Sequence, residues 1–343
     1  MTQTTQRVAV LGGGSFGTAL ANILADNGHQ VCFWMRDKDA VAEVSSRHEN
    51  SKYLPGYKLN PAIVATHSQE EAVKGALAVF LAVPSKAMRG VARDCRAWSH
   101  PQQIYVSTSK GIEADSFKMM SQVIAEELPE ARVGVLSGPN LAKEIATRML
   151  TSSVIASEDA DLRTTVQQLL SCKYFRVYAN IDVFGIELCG ALKNIYGIAS
   201  GMADALGMGE NTKSMLITRS LAEMSRFGAR LGANPLTFLG LGGVGDLIVT
   251  CHSPLSRNFR VGRGLAKGEK LDAILAGLGG TAEGVNTTAI VKKKADELQI
   301  YMPLVQGLYE ILFENGNVFD IIKRLMLGAQ NTDVEFVLPS TKN

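Results

Sequence analysis

Read only as apolar and polar positions, the chain changes character once. Up to about residue 180, short apolar runs alternate with amphipathic segments of helical period. The runs at 8–11, 30–35, 62–65, 77–83, 103–107, 133–136, 153–156 and 175–178 predict strands. Helices are expected between them: from Ser15 to Asn27-Gly28, from Ala40 to Ser46, through Glu70 and Ala72, over 85–96 and 119–127, from Leu141, and over 160–170. Gly28 suits a helix C-terminus. Residues 48–61 carry no period and read as a loop. The uninterrupted apolar run at 77–83 suits a central parallel strand covered on both faces, and Pro84 then ends it at the carboxyl edge of the sheet.

Strand, helix, strand repeats of this kind predict an α/β fold with a doubly wound, Rossmann-like sheet. From Asn180 the strand pattern stops, and 183–204, 213–231, 283–298 and 304–313 have helical period. The expected division is a dinucleotide-binding domain over 1–181, an all-α substrate and catalytic domain over 182–331, and a polar tail over 332–343. The length, 343 residues, is in keeping with two cores.

The first strand runs into Gly12-Gly-Gly14-Ser-Phe-Gly17 and then a helix, the setting that a G-x-G-x-x-G turn requires. Gly12 permits the tight turn, Gly14 leaves room for a pyrophosphate, and Gly17 lets helix and strand pack closely. The pyrophosphate would rest on the N–H groups of the helix starting near Ser15. Some twenty positions on, the end of the second strand should meet the adenosine ribose, where a carboxylate suits NAD and an arginine suits the 2′-phosphate of NADP. The chain has Arg36-Asp37 there. Arg36 is the favoured phosphate contact, its alternative being a solvated arginine, and Asp37 either meets a ribose or caps the next helix. NADP is expected, with NAD as the alternative.

Composition narrows the function classes. Hydrophobic residues make up 46% and charged residues 20%, and the net charge is +2, so a nucleic acid or an anionic membrane is disfavoured as principal partner. Cys32, Cys95, Cys172, Cys189 and Cys251 are scattered and odd in number, as expected of buried thiols in a reducing compartment. No apolar run reaches about eighteen residues, and the first residues lack a signal-peptide core, so a cytoplasmic protein without a membrane span is expected. The five histidines have no metal-ligand spacing, and Ser137-Gly-Pro-Asn140 is not a nucleophile elbow.

Over 183–200 only Glu187 and Lys193 are charged. A helix this apolar should be central, and desolvation of Lys193 would disfavour its ammonium, as suits a proton donor; the alternative is a lysine snorkelling to the surface. In the glycine-rich stretch 239–251, Asp246 and Thr250 lie one turn apart and share a face if a helix starts at Asp246, which could also be a mere cap. Ser256-Arg257-Asn258 opens a helix, either as a phosphate site or as an exposed capped start. Lys110 and the turn from Ser137 to Asn140 follow strands, at the sheet edge where ligands bind. Lys292-Lys-Lys294 reads as a solvated face, and 277–284 with Glu283 as a loop able to close on a cofactor.

These motifs, in this order and spacing, make the chain resemble the bacterial NAD(P)-dependent glycerol-3-phosphate dehydrogenases. The residues that carry the resemblance are Gly12 to Ala21, Ser109-Lys-Gly111, Ser137-Gly-Pro139, Ala191-Leu-Lys-Asn194, Gly245-Asp-Leu247 with Thr250-Cys251, Ser256-Arg-Asn258 and Ala282-Glu-Gly284. It implies reduction of dihydroxyacetone phosphate to sn-glycerol 3-phosphate for glycerophospholipid synthesis. By it, Lys193 handles the proton, with Lys110, Asn194, Asp246 and Thr250 around the reacting carbon. Arg257 and Asn258 hold the substrate phosphate, with Gly138, Asn140 and Ser256 also on the substrate. Ser15, Phe16, Arg36, Lys110, Ala142, Arg257 and Glu283 fall at cofactor positions. Two departures stand out. Phe16 replaces a usual Trp or Tyr, and Asn140-Leu141 replaces a Ser or Thr with an aromatic, which puts a polar contact at 140 in doubt. A homodimer through the helical domain is also expected. The rival readings are another two-domain 2-hydroxyacid or 3-hydroxyacyl dehydrogenase, and a module that binds dinucleotide without turning it over.

Overall fold

The computed structural model describes residues 4–278 and 280–327; the tail expected over 332–343, and the last residues of the helical region before it, lie outside these. Contacts divide the chain into two compact units, the first ending at Glu187 and the second beginning at Leu188.

The first unit runs β1 (Arg7–Leu11), α1 (Ser15–Asp26), β2 (Gln30–Trp34), α2 (Lys38–Arg47), β3 (Val64–Thr66), α3 (Gln69–Val73), β4 (Ala78–Leu81), α4 (Ser85–Cys95) and β5 (Ile104–Ser107). It continues with α5 (Met120–Glu127), β6 (Arg132–Ser137), α6 (Ala142–Ala146), β7 (Thr151–Ala156), α7 (Ala160–Leu170) and β8 (Phe175–Asn180). The eight strands form one sheet in the order β3-β2-β1-β4-β5-β6-β7-β8. Alternate residues of the inner strands face two separate cores. Val8, Val10, Phe80 and Val106 pack with α1 and α7, while Ala9, Leu11, Val79 and Leu81 pack with α3, α4 and α5. Both faces being covered explains the continuous apolar runs. Each fully buried Val, Leu or Phe stabilises the fold by roughly 1.5–3 kcal/mol.

Two details differ from the sequence reading. The third strand starts later, because Asn60 draws the Ala62 and Ile63 amides into a turn before the edge strand begins. And β7 runs antiparallel to β6, every other neighbouring pair being parallel. The connection there holds only the five-residue α6, too short a helix to carry a crossover over the sheet face.

The helix α8 (Val183–Ala205) leads into the second unit, followed by α9 (Glu210–Arg230), a 3₁₀ turn (Pro235–Leu239), a π-helical turn (Leu241–Gly245), α10 (Asp246–His252) and α11 (Arg257–Ala266). After these come α12 (Leu271–Gly277), α13 (Glu283–Glu297), α14 (Pro303–Phe313) and α15 (Val318–Leu327). No helix among the described residues is long and apolar enough to cross a membrane. The expected lysine face is only partly solvated: Lys292 pairs with Asp296 and lies over the Tyr309 ring, 5.7 Å from its centroid.

Among the described residues, two glutamates are buried. In the first unit, Glu187 accepts from the Ser121 amide (2.9 Å) and hydroxyl at the start of α5. In the second, Glu223 on α9 accepts from the Leu304 (2.6 Å) and Val305 (3.3 Å) amides, supplying α14 with the cap its own residues lack, and from Tyr196 Oη (3.1 Å). Burial pushes each carboxyl up to about 7 from an ordinary 4.5. Each therefore keeps a proton in the folded state that the unfolded chain releases, so this stabilisation is complete below about pH 4.5 and lost as pH rises through about 7. Glu223→Gln keeps an acceptor and removes the titration. Its melting temperature should approach or pass that of the parent as pH rises from 5.5 to 8, a relative gain on the order of 2 kcal/mol; an offset independent of pH would contradict the buried-acid reading.

Candidate active site

In the first unit the sheet order reverses at β1, which lies between β2 and β4, and ligands of such sheets bind beyond the carboxyl ends of the strands at that point. The glycine turn follows β1. Gly12 has φ +127°, and a Cβ there would overlap the Ala82 carbonyl; one at Gly17 would overlap the Gly12 carbonyl. A Cβ at Gly14 would instead meet nothing within 4 Å. The α1 N-terminus has no side-chain cap and no acidic residue in its first turn. This is a cradle of outward N–H groups that fits a pyrophosphate. Ser15 Oγ donates to the Tyr53 carbonyl (2.7 Å), and Phe16 packs against the core, so at Ser15 the backbone amide is the group turned to the cradle.

Past the end of β2, Arg36 is exposed. Asp37 caps α2 by accepting from the Asp39 (3.0 Å) and Ala40 (3.4 Å) amides, and its second oxygen pairs with Lys52 (3.4 Å). These bonds hold its carboxyl below the usual range. Beyond β5 and β6, Lys110 Nζ donates to the Gly138 carbonyl (2.8 Å) and to Asn140 Oδ1 (2.9 Å). At the position where the sequence departs from the family pattern, Asn140 is thus engaged with Lys110. Ala142 opens α6 and packs on the core.

In the second unit, α8 brings Lys193 to the start of α10. Lys193 is only 7% exposed and does not snorkel. Its Nζ lies 2.8 Å from Asp246 Oδ1 and donates to Thr250 Oγ1 at 2.5 Å. Asp246 is the first residue of α10 rather than its cap, and at 1% exposure it supplies the buried ammonium with its counter-charge. The neighbouring Asn194 accepts from Asn258 Nδ2 (2.8 Å), and Asn258 Oδ1 accepts from the Gly284 amide (3.0 Å). A Cβ on Gly284 would overlap the Asn194 carbonyl, so this residue lets the start of α13 sit directly on the pair. Ser256 caps α11 through the Phe259 amide (3.3 Å), and Arg257, next in sequence, is exposed. Glu283 begins α13, and the stretch before it includes Gly279, outside the described residues.

The family model described as the NAD-dependent glycerol-3-phosphate dehydrogenase N-terminus matches residues 7–163, and that of the C-terminus matches 182–323. The chain belongs to the NAD-dependent glycerol-3-phosphate dehydrogenase family. It is 57% identical to the glycerol-3-phosphate dehydrogenase [NAD(P)+] of Azotobacter vinelandii over 98% of both chains. With its counterpart from Ectopseudomonas mendocina it shares 56% over 97% of both. The crystal structure of the Coxiella burnetii glycerol-3-phosphate dehydrogenase has a TM-score of 0.90 and 34% identity, covering 94% of this chain and 99% of that one. A full-length match to this oxidoreductase family sets aside the rival hydroxy-acid and sensor readings.

Sequence reasoning about the dehydrogenase missed several residues. Asn50, in the aperiodic loop, is fully buried behind the glycine turn. Gly284 belongs to a motif of the resemblance, but nothing in the sequence marks it as the point where α13 rests on Asn194 and Asn258. The glycine run before Asp246 winds into the π-helical turn that delivers it, which spacing does not encode. A cavity of about 340 Å³ in the second unit, lined mainly by apolar side chains of α8, α9, α14 and α15 together with Thr212, Arg219, Glu223 and Arg226, includes none of the Lys193 group. Among the described residues no cluster of His, Cys, Asp or Glu is placed to hold a metal.

Proposed function

We propose that the chain reduces dihydroxyacetone phosphate to sn-glycerol 3-phosphate, reversibly, with NADPH and also with NADH, for glycerophospholipid synthesis. The observation that carries this reading is the buried Lys193–Asp246–Thr250 group, an ion-paired amine on a mainly apolar helix. When bound, the reduced nicotinamide would be the source of the hydride for C2 of the ketone. Lys193 gives its proton to the carbonyl oxygen, so that hydride and proton together make the alcohol; in reverse, neutral Lys193 takes the hydroxyl proton. Asp246 and Thr250 hold the amine in place, and Lys110 and Asn194 polarise the carbonyl. Arg257 binds the substrate phosphate with Asn258, whose bond to Asn194 leaves one amide hydrogen for it, and Ser256 keeps that helix start in place. Gly138 and Asn140 line the substrate.

For the cofactor, Gly12, Gly14, Ser15, Phe16 and Gly17 form the pyrophosphate cradle, and Ala142 and Glu283 add contacts along with Lys110 and Arg257. Arg36 takes the 2′-phosphate, a role supported by the engagement of Asp37 as a cap. In kinetics with dihydroxyacetone phosphate, the parent should oxidise both cofactors and Arg36→Ala should lose roughly tenfold or more of kcat/KM with NADPH while changing little with NADH. Failure to oxidise either cofactor would reject the activity; equal loss with both would reject Arg36 alone. We also place the protein in the cytoplasm, where its five free thiols would stay reduced, as a homodimer through the helical unit, whose α15 exposes Phe319, Met326 and Leu327.

A further inference from the structure

We propose that Asn50, acting with Thr18, is the positioning residue that sets the glycine turn in its cofactor-binding orientation. The loop over 48–61 is therefore part of the dinucleotide site rather than a connection between elements. This rests on the reading that the α1 N-terminus receives the pyrophosphate.

Asn50 is 0% exposed, and its amide nitrogen donates to the Gly13 carbonyl (2.9 Å) and to Thr18 Oγ1 (2.8 Å). Thr18 Oγ1 donates in turn to the Gly14 carbonyl (2.9 Å), which also accepts from the Thr18 amide (2.9 Å). The directions are forced. Both glycine carbonyls can only accept, so the Thr18 hydrogen goes to Gly14, and Thr18 must receive from Asn50. Asn50 therefore spends both amide hydrogens on the turn, while its Oδ1, buried as well, has no hydrogen-bond partner. A buried acceptor left without a partner is unfavourable, a cost the fold bears while Asn50 faces the glycines with its nitrogen.

The consequence follows from peptide geometry. In a trans peptide the C=O of one residue and the N–H of the next point in opposite directions. Anchoring the Gly13 carbonyl on Asn50 turns the Gly14 N–H the other way, and anchoring the Gly14 carbonyl on Thr18 does the same for the Ser15 N–H. Without a Cβ at 13 or 14, the backbone here has a wide intrinsic choice of conformations, so orienting its amides falls to contacts from outside it. The loop is held in place to supply them: Ser15 Oγ donates to the Tyr53 carbonyl, and the Tyr53 and Leu54 amides bond back to the Asn50 carbonyl (3.2 and 2.8 Å).

The test uses the full-length protein and reads NADPH binding directly, by titrating cofactor fluorescence, beside thermal unfolding of the cofactor-free protein. Thr18→Val keeps the volume and removes the hydroxyl relay; Thr18→Ser restores it; Asn50→Ala removes the anchor. The dissociation constant for NADPH should rise roughly tenfold in Thr18→Val and Asn50→Ala, as expected for one oriented hydrogen bond, and return to within about twofold of the parent in Thr18→Ser. The KM for NADPH should rise with it, and the KM for dihydroxyacetone phosphate should not. A parent that binds NADPH, with Thr18→Val binding it equally well, would overturn the inference while leaving the cofactor site standing. A loss that Thr18→Ser does not restore, or a lowered melting temperature with unchanged binding, would also overturn it. A parent that binds no NADPH would instead remove the reading on which the inference rests.

Discussion

Lys193→Ala is expected to slow reduction of dihydroxyacetone phosphate by roughly two to four orders of magnitude, the usual worth of a positioned general acid. The loss should lie in turnover, with NADPH still bound, because the cradle that receives the pyrophosphate is made by α1 and the glycine turn. The substitution also strands Asp246, 1% exposed, without its counter-charge, at a cost of about 3–5 kcal/mol. Stability and catalysis are separated by the double variant Lys193→Met with Asp246→Asn, which removes both charges and should recover the fold without recovering turnover. Oxidation of NADPH in this variant at a rate near that of the parent would show that the proton comes from another group.

The second large effect is at the phosphate. Arg257→Ala should raise the KM for dihydroxyacetone phosphate by roughly ten- to a hundredfold, the range expected when a charge-assisted hydrogen bond to a dianion is lost. Ser256 supplies the cap of α11, so the helix start survives the change. Dihydroxyacetone without its phosphate is the control: at saturating NADPH, where the contact of Arg257 with the cofactor no longer limits the rate, it has nothing for Arg257 to hold, and the variant should reduce it about as slowly as the parent does. Equal losses on the two substrates would place Arg257 elsewhere than at the phosphate.

The sheet was legible because its inner strands are buried on both faces and its helices on one, a difference that hydrophobic period records directly. Helix α7 was readable to both ends for this reason. The edge was not: Asn60 delays β3 through side-chain bonds to the backbone, and the reversal at β7 depends on how little of the preceding connection is helix. At the site, Lys193 stood out as a charge in an apolar helix, and Asp246 and Thr250 were one turn apart once a helix began at Asp246. That the two meet the lysine nitrogen depends on a π-helical turn between α9 and α10, a backbone feature without a spacing of its own. Whether Asp37 was a ribose ligand or a cap could not be told from its place after β2, since an aspartate there suits both roles; the Asp39 and Ala40 amides show it as the cap. Asn50 left no trace, because one polar residue in an aperiodic loop looks the same whether it faces water or the back of a glycine turn.

The most direct test of the central claim is a crystal structure of the ternary complex with the oxidised cofactor and sn-glycerol 3-phosphate. The account predicts the C2 hydroxyl within hydrogen-bond distance of Lys193 Nζ and the phosphate on Arg257 and Asn258. A C2 hydroxyl held by a different ionisable group, with Lys193 still closed on Asp246 and Thr250, would contradict it.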